Sequence, residues 1–117
     1  MYTYNATVIE VIDGDTIDLN IDLGFDIWHI IRVRLNGINC AEKNTDLGKK
    51  AKSYVQGLLP AGTKISVTTY KPEKYGRMLA DVIVPSQSDT LNKLLVDNNF
   101  AVAYSGKDSK DLHVPKG

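Results

Sequence analysis

From Thr3 to Leu35 apolar and polar residues alternate with a period close to two. TYNATVIEVI comes first, then TIDLNIDL, in which Ile17, Leu19, Ile21 and Leu23 share one face while Asp18, Asn20 and Asp22 share the other. Such alternation predicts half-buried β-strands. Gly24-Phe25-Asp26 reads as a turn, and IWHIIRVRLNG as a third strand with Ile31, Val33 and Leu35 on one face and Arg32 and Arg34 on the opposite one. Three consecutive strands joined by short turns predict an antiparallel meander.

The period then lengthens. In DLGKKAKSYVQGLLPAG, Leu47, Ala51, Tyr54, Val55, Leu58 and Leu59 recur at the spacing of one helical face, which predicts an amphipathic helix. Thr45 or Asp46 can cap its start, Pro60 with Gly62 stops it, and Lys49, Lys50 and Lys52 lie away from the apolar stripe. TKISVTTY predicts a fourth strand, KPEKYG a connection, and RMLADVIV a fifth strand that can pair with the fourth as a hairpin. SDTLNKLLVDNNF predicts a second, shorter helix with Ser88 or Asp89 as its cap. A short apolar run, FAVAY, precedes a polar tail, so the expected organisation is one domain over residues 1–105 and a tail over 106–117. Five strands, with a helix between the third and fourth and a short helix after the fifth, follow the order of a five-stranded OB-fold barrel, a β-rich α+β architecture.

Composition narrows this little. At 117 residues, 43% hydrophobic and 24% charged, the chain fits one soluble, folded domain. Lys+Arg and Asp+Glu both total 14, so any attraction for a charged partner depends on where the charges sit. A single cysteine, Cys40, excludes an internal disulfide and a Cys-rich zinc site, and His29 and His113 stand far apart, so a metal would need oxygen ligands. The N-terminus lacks a basic then apolar leader, and no stretch approaches the ~18 to 20 apolar residues of a membrane span. The expectation is no membrane partner and a cytoplasmic location, unless the chain is the mature fragment of an exported protein.

Three groups of residues could carry chemistry. Asp13 and Asp15 in VIDGDTIDL read as turn formers, since Asp-Gly is a hairpin signal; alternatively one carboxylate holds a hard cation such as Ca²⁺. Arg34, Asn39, Cys40 and Glu42 lie in RLNGINCAE, where a strand meets a loop, and Arg77 follows a Tyr75-Gly76 turn in EKYGRML. Each alone passes for an ordinary surface residue. Together they match the needs of phosphodiester hydrolysis: oxygens for a divalent cation, a carboxylate to orient or deprotonate water, and two guanidiniums to neutralise developing charge.

These three stretches, IDGDT at 12–16, R-L-x-G-I-N-x-A-E at 34–42 and KYGR at 74–77, resemble in residues and order those of the staphylococcal (micrococcal) nuclease, or thermonuclease-like, family. The resemblance covers the chain from the first strand to about Tyr104. It implies a Ca²⁺-dependent endonuclease that hydrolyses DNA and RNA with little sequence specificity and leaves 3′-phosphate ends. Asp15 is then a carboxylate ligand of Ca²⁺, Asn39 stands where the best-known member has a second aspartate, and Cys40 offers its backbone carbonyl. Glu42 acts on the attacking water, Arg34 and Arg77 clamp the scissile phosphate, and Lys74, Tyr75 and Tyr104 line the nucleotide pocket. On this alignment Asp13 and Gly14 make the turn that aims Asp15.

Three departures from the family pattern stand out: neutral Asn39, Ala41 in place of a usual proline, and a short Glu42–Gly48 loop with a short tail. A noncatalytic OB-type module that binds single-stranded nucleic acid is the alternative, and a protein-interaction barrel a more distant one. The presence of Asp15, Arg34, Glu42 and Arg77 together favours the enzyme, and a small barrel of this kind is expected to be a monomer.

Overall fold

A computed structural model describes residues 2–42, 44–72, 78–85 and 87–103. The elements are β1 (Tyr2–Asp13), β2 (Thr16–Asp22), β3 (Trp28–Leu35), β4 (Ile38–Cys40), α1 (Asp46–Leu58), β5 (Lys64–Pro72), β6 (Met78–Ile83), α2 (Leu91–Asp97) and β7 (Ala101–Ala103). Strands β1, β2, β3, β6 and β5 close a barrel in that order, and β4 pairs with β7 in a separate two-stranded sheet. The fold class is the expected one, a five-stranded mixed barrel with two short helices.

β1 makes closure possible. Its first half pairs with β5, from Tyr2↔Thr69 to Thr7↔Lys64, and its second half with β2, from Ala6↔Ile21 to Asp13↔Thr16. The register slips between Val8 and Glu10. A bulge of this kind bends a strand and raises its twist, which lets one strand serve both neighbours. β3 completes the ring through a short parallel ladder, Val33↔Met78 to Leu35↔Ala80. The alternating pattern fixes which side chains face inward: Val8, Ile17, Leu19, Val33, Leu35, Val67 and Val82 are almost fully buried. Val55 and Leu59, at the end of α1, and Leu91 and Leu95 of α2 belong to the same core. Burial of each such side chain contributes about 1.5–3 kcal/mol.

The alternation misleads at one place. Leu23 continues the inward face by sequence, yet β2 ends at Asp22 and Leu23 is 45% exposed. The chain turns there: Ile27 N–H donates to the Gly24 carbonyl at 2.9 Å across Phe25 and Asp26, whose φ values are 55° and 60°. This is a type I′-like turn, whose left-handed conformation costs a residue such as Phe about 1 kcal/mol. Two other differences are local. Thr90, rather than Ser88 or Asp89, caps α2, its hydroxyl accepting from Lys93 N–H at 3.2 Å. β4 and β7, three residues each, carry too little alternation to be read as strands from sequence.

Two contacts fix the segment between β3 and α1. Asn92 of α2, 6% exposed, accepts from Val82 N–H at 3.2 Å and donates to the carbonyls of Asn36 at 2.8 Å and Ala80 at 3.1 Å. It thereby ties α2 to β6 and to the turn that leads into β4. Further on, Thr45 caps α1 by accepting from Gly48 N–H at 3.0 Å, and its hydroxyl donates to the Glu42 carbonyl at 2.7 Å. Gly48 sits so close to this loop that a Cβ there would overlap the Glu42 carbonyl oxygen and lie 3.1 Å from that of Ala41.

Asn92→Ala is expected to destabilise the fold by about 3 kcal/mol, because it leaves buried peptide groups unpaired; urea unfolding measures this as a lower midpoint at unchanged slope. The two glycines of α1 should respond with opposite signs. Gly48→Ala costs about 1–3 kcal/mol by overpacking, whereas Gly57→Ala, with nothing within 4 Å of its Cβ position, stabilises by up to about 1 kcal/mol through helix propensity. Equal shifts in melting temperature for the two variants would contradict the assignment of Gly48 to a steric role.

Candidate functional site

The β1–β2 turn, the C-terminal end of β3 and strand β4 meet at one end of the barrel, beside the first turns of α1. Gly14 allows the approach. A Cβ on it would stand 2.9 Å from Ala51 Cβ of α1, too close to be tolerated without a shift, and 3.1 Å from Cys40 Sγ of β4, a tight contact. The turn is also pinned from β3, since Leu35 N–H donates to the Asp15 carbonyl at 2.9 Å.

Asp15 occupies the turn itself, while Asp13 ends β1 opposite Thr16. The turn residues are therefore Gly14 and Asp15, not Asp13 and Gly14 as the sequence suggests. The Asp15 carboxylate is held on three sides: Oδ2 accepts from Cys40 N–H at 3.1 Å, Oδ1 from the Thr16 hydroxyl at 3.3 Å, and the Arg34 guanidinium lies 3.6 Å away. The same Arg34 nitrogen donates to Asn39 Oδ1 at 3.0 Å, and the other terminal nitrogen to the Leu35 carbonyl at 3.4 Å. Side chains of Arg34 and Asp15 are only 12% and 14% exposed, so this ion pair is screened less than a surface pair.

Four of the nine residues singled out from sequence, Asp15, Arg34, Asn39 and Cys40, thus converge. Glu42 follows Cys40 by two residues, is exposed, and belongs to the loop that Thr45 and Gly48 fix. Arg77, Lys74, Tyr75 and Tyr104 lie outside the described residues. Cys40 is buried, and its thiol is pushed up to about 12, first by burial and then by the Asp15 charge, with Arg34 opposing. The sulfur is therefore a neutral packing group, and the part of Cys40 able to meet a ligand is its backbone. Asp13, which the sequence offers beside Asp15 as a possible cation ligand, has in its Oδ1 the one buried side-chain oxygen without a hydrogen-bond partner among the described residues. Thr16 and Gly14 also go beyond their turn role. Their signal was the IDGDT motif itself, of which the two aspartates were singled out as candidate ligands.

The donor chemistry suits a hard cation. Among the described residues no three His, Cys, Asp or Glu side chains cluster, which excludes a zinc-type set there. What converges instead is oxygen: a carboxylate, the Asn39 amide oxygen on the same guanidinium, and the unpartnered Asp13 oxygen nearby in the chain. A site with few carboxylates and several neutral oxygens fits Ca²⁺, which takes carbonyl, amide and water oxygens readily. Fixed alongside it, a guanidinium supplies a planar fork for a phosphate. No helix of the described residues is long and apolar enough to cross a membrane.

The chain is similar to known proteins. The model of the staphylococcal nuclease homologue family matches residues 32–116, a span that contains Arg34, Asn39, Glu42 and Arg77. An uncharacterized endonuclease of Escherichia coli O157:H7 is 33% identical over 100 residues, covering 86% of this chain and 61% of that protein. Protein ParB of Escherichia coli is 32% identical over 104 residues, with 55% of it covered. Endonuclease YhcR of Bacillus subtilis is 36% identical over 114 residues, which are 9% of its length. The chain therefore spans less than two thirds of each of these relatives. By this match over most of its length, the chain belongs to the staphylococcal nuclease homologue family.

Proposed function

We propose that this chain is a Ca²⁺-dependent endonuclease that hydrolyses phosphodiester bonds of DNA and RNA with little sequence preference and leaves 3′-phosphate ends. The observation that carries the reading is the anchored guanidinium: Arg34 is held by Asn39 and Asp15 at the end of a rigid strand, beside the oxygens that suit a divalent cation. The endonuclease names of two relatives agree with it.

In this reading Arg34 binds a non-bridging phosphate oxygen and stabilises the charge that builds up there as water attacks. An arginine aimed at a transferring phosphoryl group is worth about 10³–10⁵ in rate in other phosphoryl-transfer enzymes. Glu42, exposed two residues beyond Cys40, orients or deprotonates the water. Arg77 clamps the phosphate from the leaving-group side, and the P–O5′ bond breaks so that the phosphate stays on the 3′ end. Lys74, Tyr75 and Tyr104 hold the nucleotide. Asp15, Asn39 and the Cys40 carbonyl would hold the cation, which when bound offsets phosphate charge. The domain that does this comprises residues 1–105, and the polar remainder, 106–117, is a tail.

Two experiments test the assignment. Incubation with single-stranded DNA in Ca²⁺, in Mg²⁺ and in chelator should give cleavage in Ca²⁺ alone, with losses of about 10³-fold in Arg34→Lys and about 10²-fold or more in Glu42→Gln. A strand retained uncut under every condition identifies a noncatalytic OB-type binding module instead. Separately, Asn39→Asp is expected to tighten Ca²⁺ binding roughly tenfold by restoring an anionic ligand; unchanged or weaker binding by calorimetry contradicts the placement of Asn39 beside the cation.

A further inference from the structure

At the opposite end of β2 and β3 from this site, the hairpin tip exposes a run of large apolar side chains. Phe25 is 97% exposed, Ile30 64%, Ile27 55% and Trp28 50%. Patches of this kind mark contact surfaces. The tip is also held rigidly: Leu23 N–H donates to the Ile27 carbonyl at 2.8 Å, and Gly24 N–H to Asp22 Oδ1 at 2.8 Å. Phe25 stands at the first central position of the type I′-like turn, where Asn, Asp or Gly is preferred. The ring is thus both disfavoured by its backbone and left in water, a double disadvantage that burial against a partner offsets.

Charge narrows the partner. Asp18, Asp22 and Asp26 line this hairpin, and Arg32 is already engaged by Asp18 at 2.8 Å, so a phosphate backbone is repelled. Asp26, beside Phe25 at the apex, opposes insertion into hydrocarbon. A complementary surface lies on the molecule itself. Next to the hairpin is a groove of about 620 Å³ whose lining includes Trp28, Ile65, Ile83 and Pro85 together with Asp22 and Lys64. It offers an apolar wall for an aromatic ring and an ammonium for a neighbouring carboxylate.

We propose that two copies of this chain associate by a two-fold exchange of hairpin tips, in place of the monomer that so small a barrel suggests. Phe25 of each copy enters the groove of the other against Trp28, and Asp26 of each meets Lys64 there. Projection and groove lie side by side, so one two-fold operation engages both pairs and the assembly closes at two. With 14 positive and 14 negative side chains, no long-range repulsion opposes association.

Sedimentation velocity of the full chain over a range of concentrations tests this. The wild type should show a concentration-dependent monomer–dimer equilibrium. Phe25→Asn suits the turn better, so it should keep or raise the unfolding midpoint while shifting the protein to monomer. Lys64→Glu should weaken dimerisation about tenfold, and Asp26→Lys combined with Lys64→Glu should restore it. A wild type that stays monomeric up to millimolar concentration overturns the proposal, as does a Phe25→Asn dimer of wild-type affinity. Phe25-dependent pelleting of a monomer with phosphatidylcholine vesicles overturns it in favour of a lipid surface.

Discussion

Because β1 pairs with β5 along its first half and with β2 along its second, the ring depends on how sharply that one strand bends. The slip between Val8 and Glu10 supplies the bend, and it leaves Ile9 turned outward, 38% exposed, while Val8 and Val11 stay in the core. Every later placement inherits this geometry. The β1–β2 turn is delivered to one end of the barrel, the hairpin tip between β2 and β3 to the other, and the last residues of β3 lie beside the first of β6. The end with the turn receives the polar cluster, and the opposite end presents apolar side chains.

At the polar end the site is assembled by backbone as much as by side chains. Cys40 contributes a peptide N–H to Asp15 and a buried thiol to packing, and Leu35 contributes an N–H to the Asp15 carbonyl. Such contacts are indifferent to the identity of the side chain, so the same scaffold accommodates Cys40 and Ala41 in the loop. Asn39 differs in kind. A neutral amide accepts from Arg34 without bringing a charge of its own, whereas Asp15 brings one.

Much of this was legible in the order of residues. The period-two runs around Ile17 and Val33 gave the barrel strands, the spacing of Ala51 and Val55 gave α1, and two short motifs, IDGDT and RLNGINCAE, gave the polar cluster, while KYGR lies outside the described residues. What escaped did so for physical reasons. Strands of three residues, such as β4 and β7, owe their conformation to pairing across the fold and carry too little pattern to announce it. Leu23 breaks its face because a turn, formed by backbone conformations that Phe25 and Asp26 rarely adopt, intervenes first. Asp13 and Asp15 are chemically alike and two residues apart, so only the contacts with Thr16, Cys40 and Arg34 tell the held carboxylate from the one whose Oδ1 is buried without a partner.

The pairing of β4 with β7 bears on the order in which the protein is made. β4 carries Asn39 and Cys40, and its partner in this sheet is Ala101–Ala103, the last segment among the described residues. A two-stranded ladder this short forms only when both strands are present and packed. During synthesis the barrel strands emerge first and can close among themselves, while the strand that holds Asn39 waits for Ala101–Ala103. Completion of the polar cluster is thereby postponed until translation has passed β7.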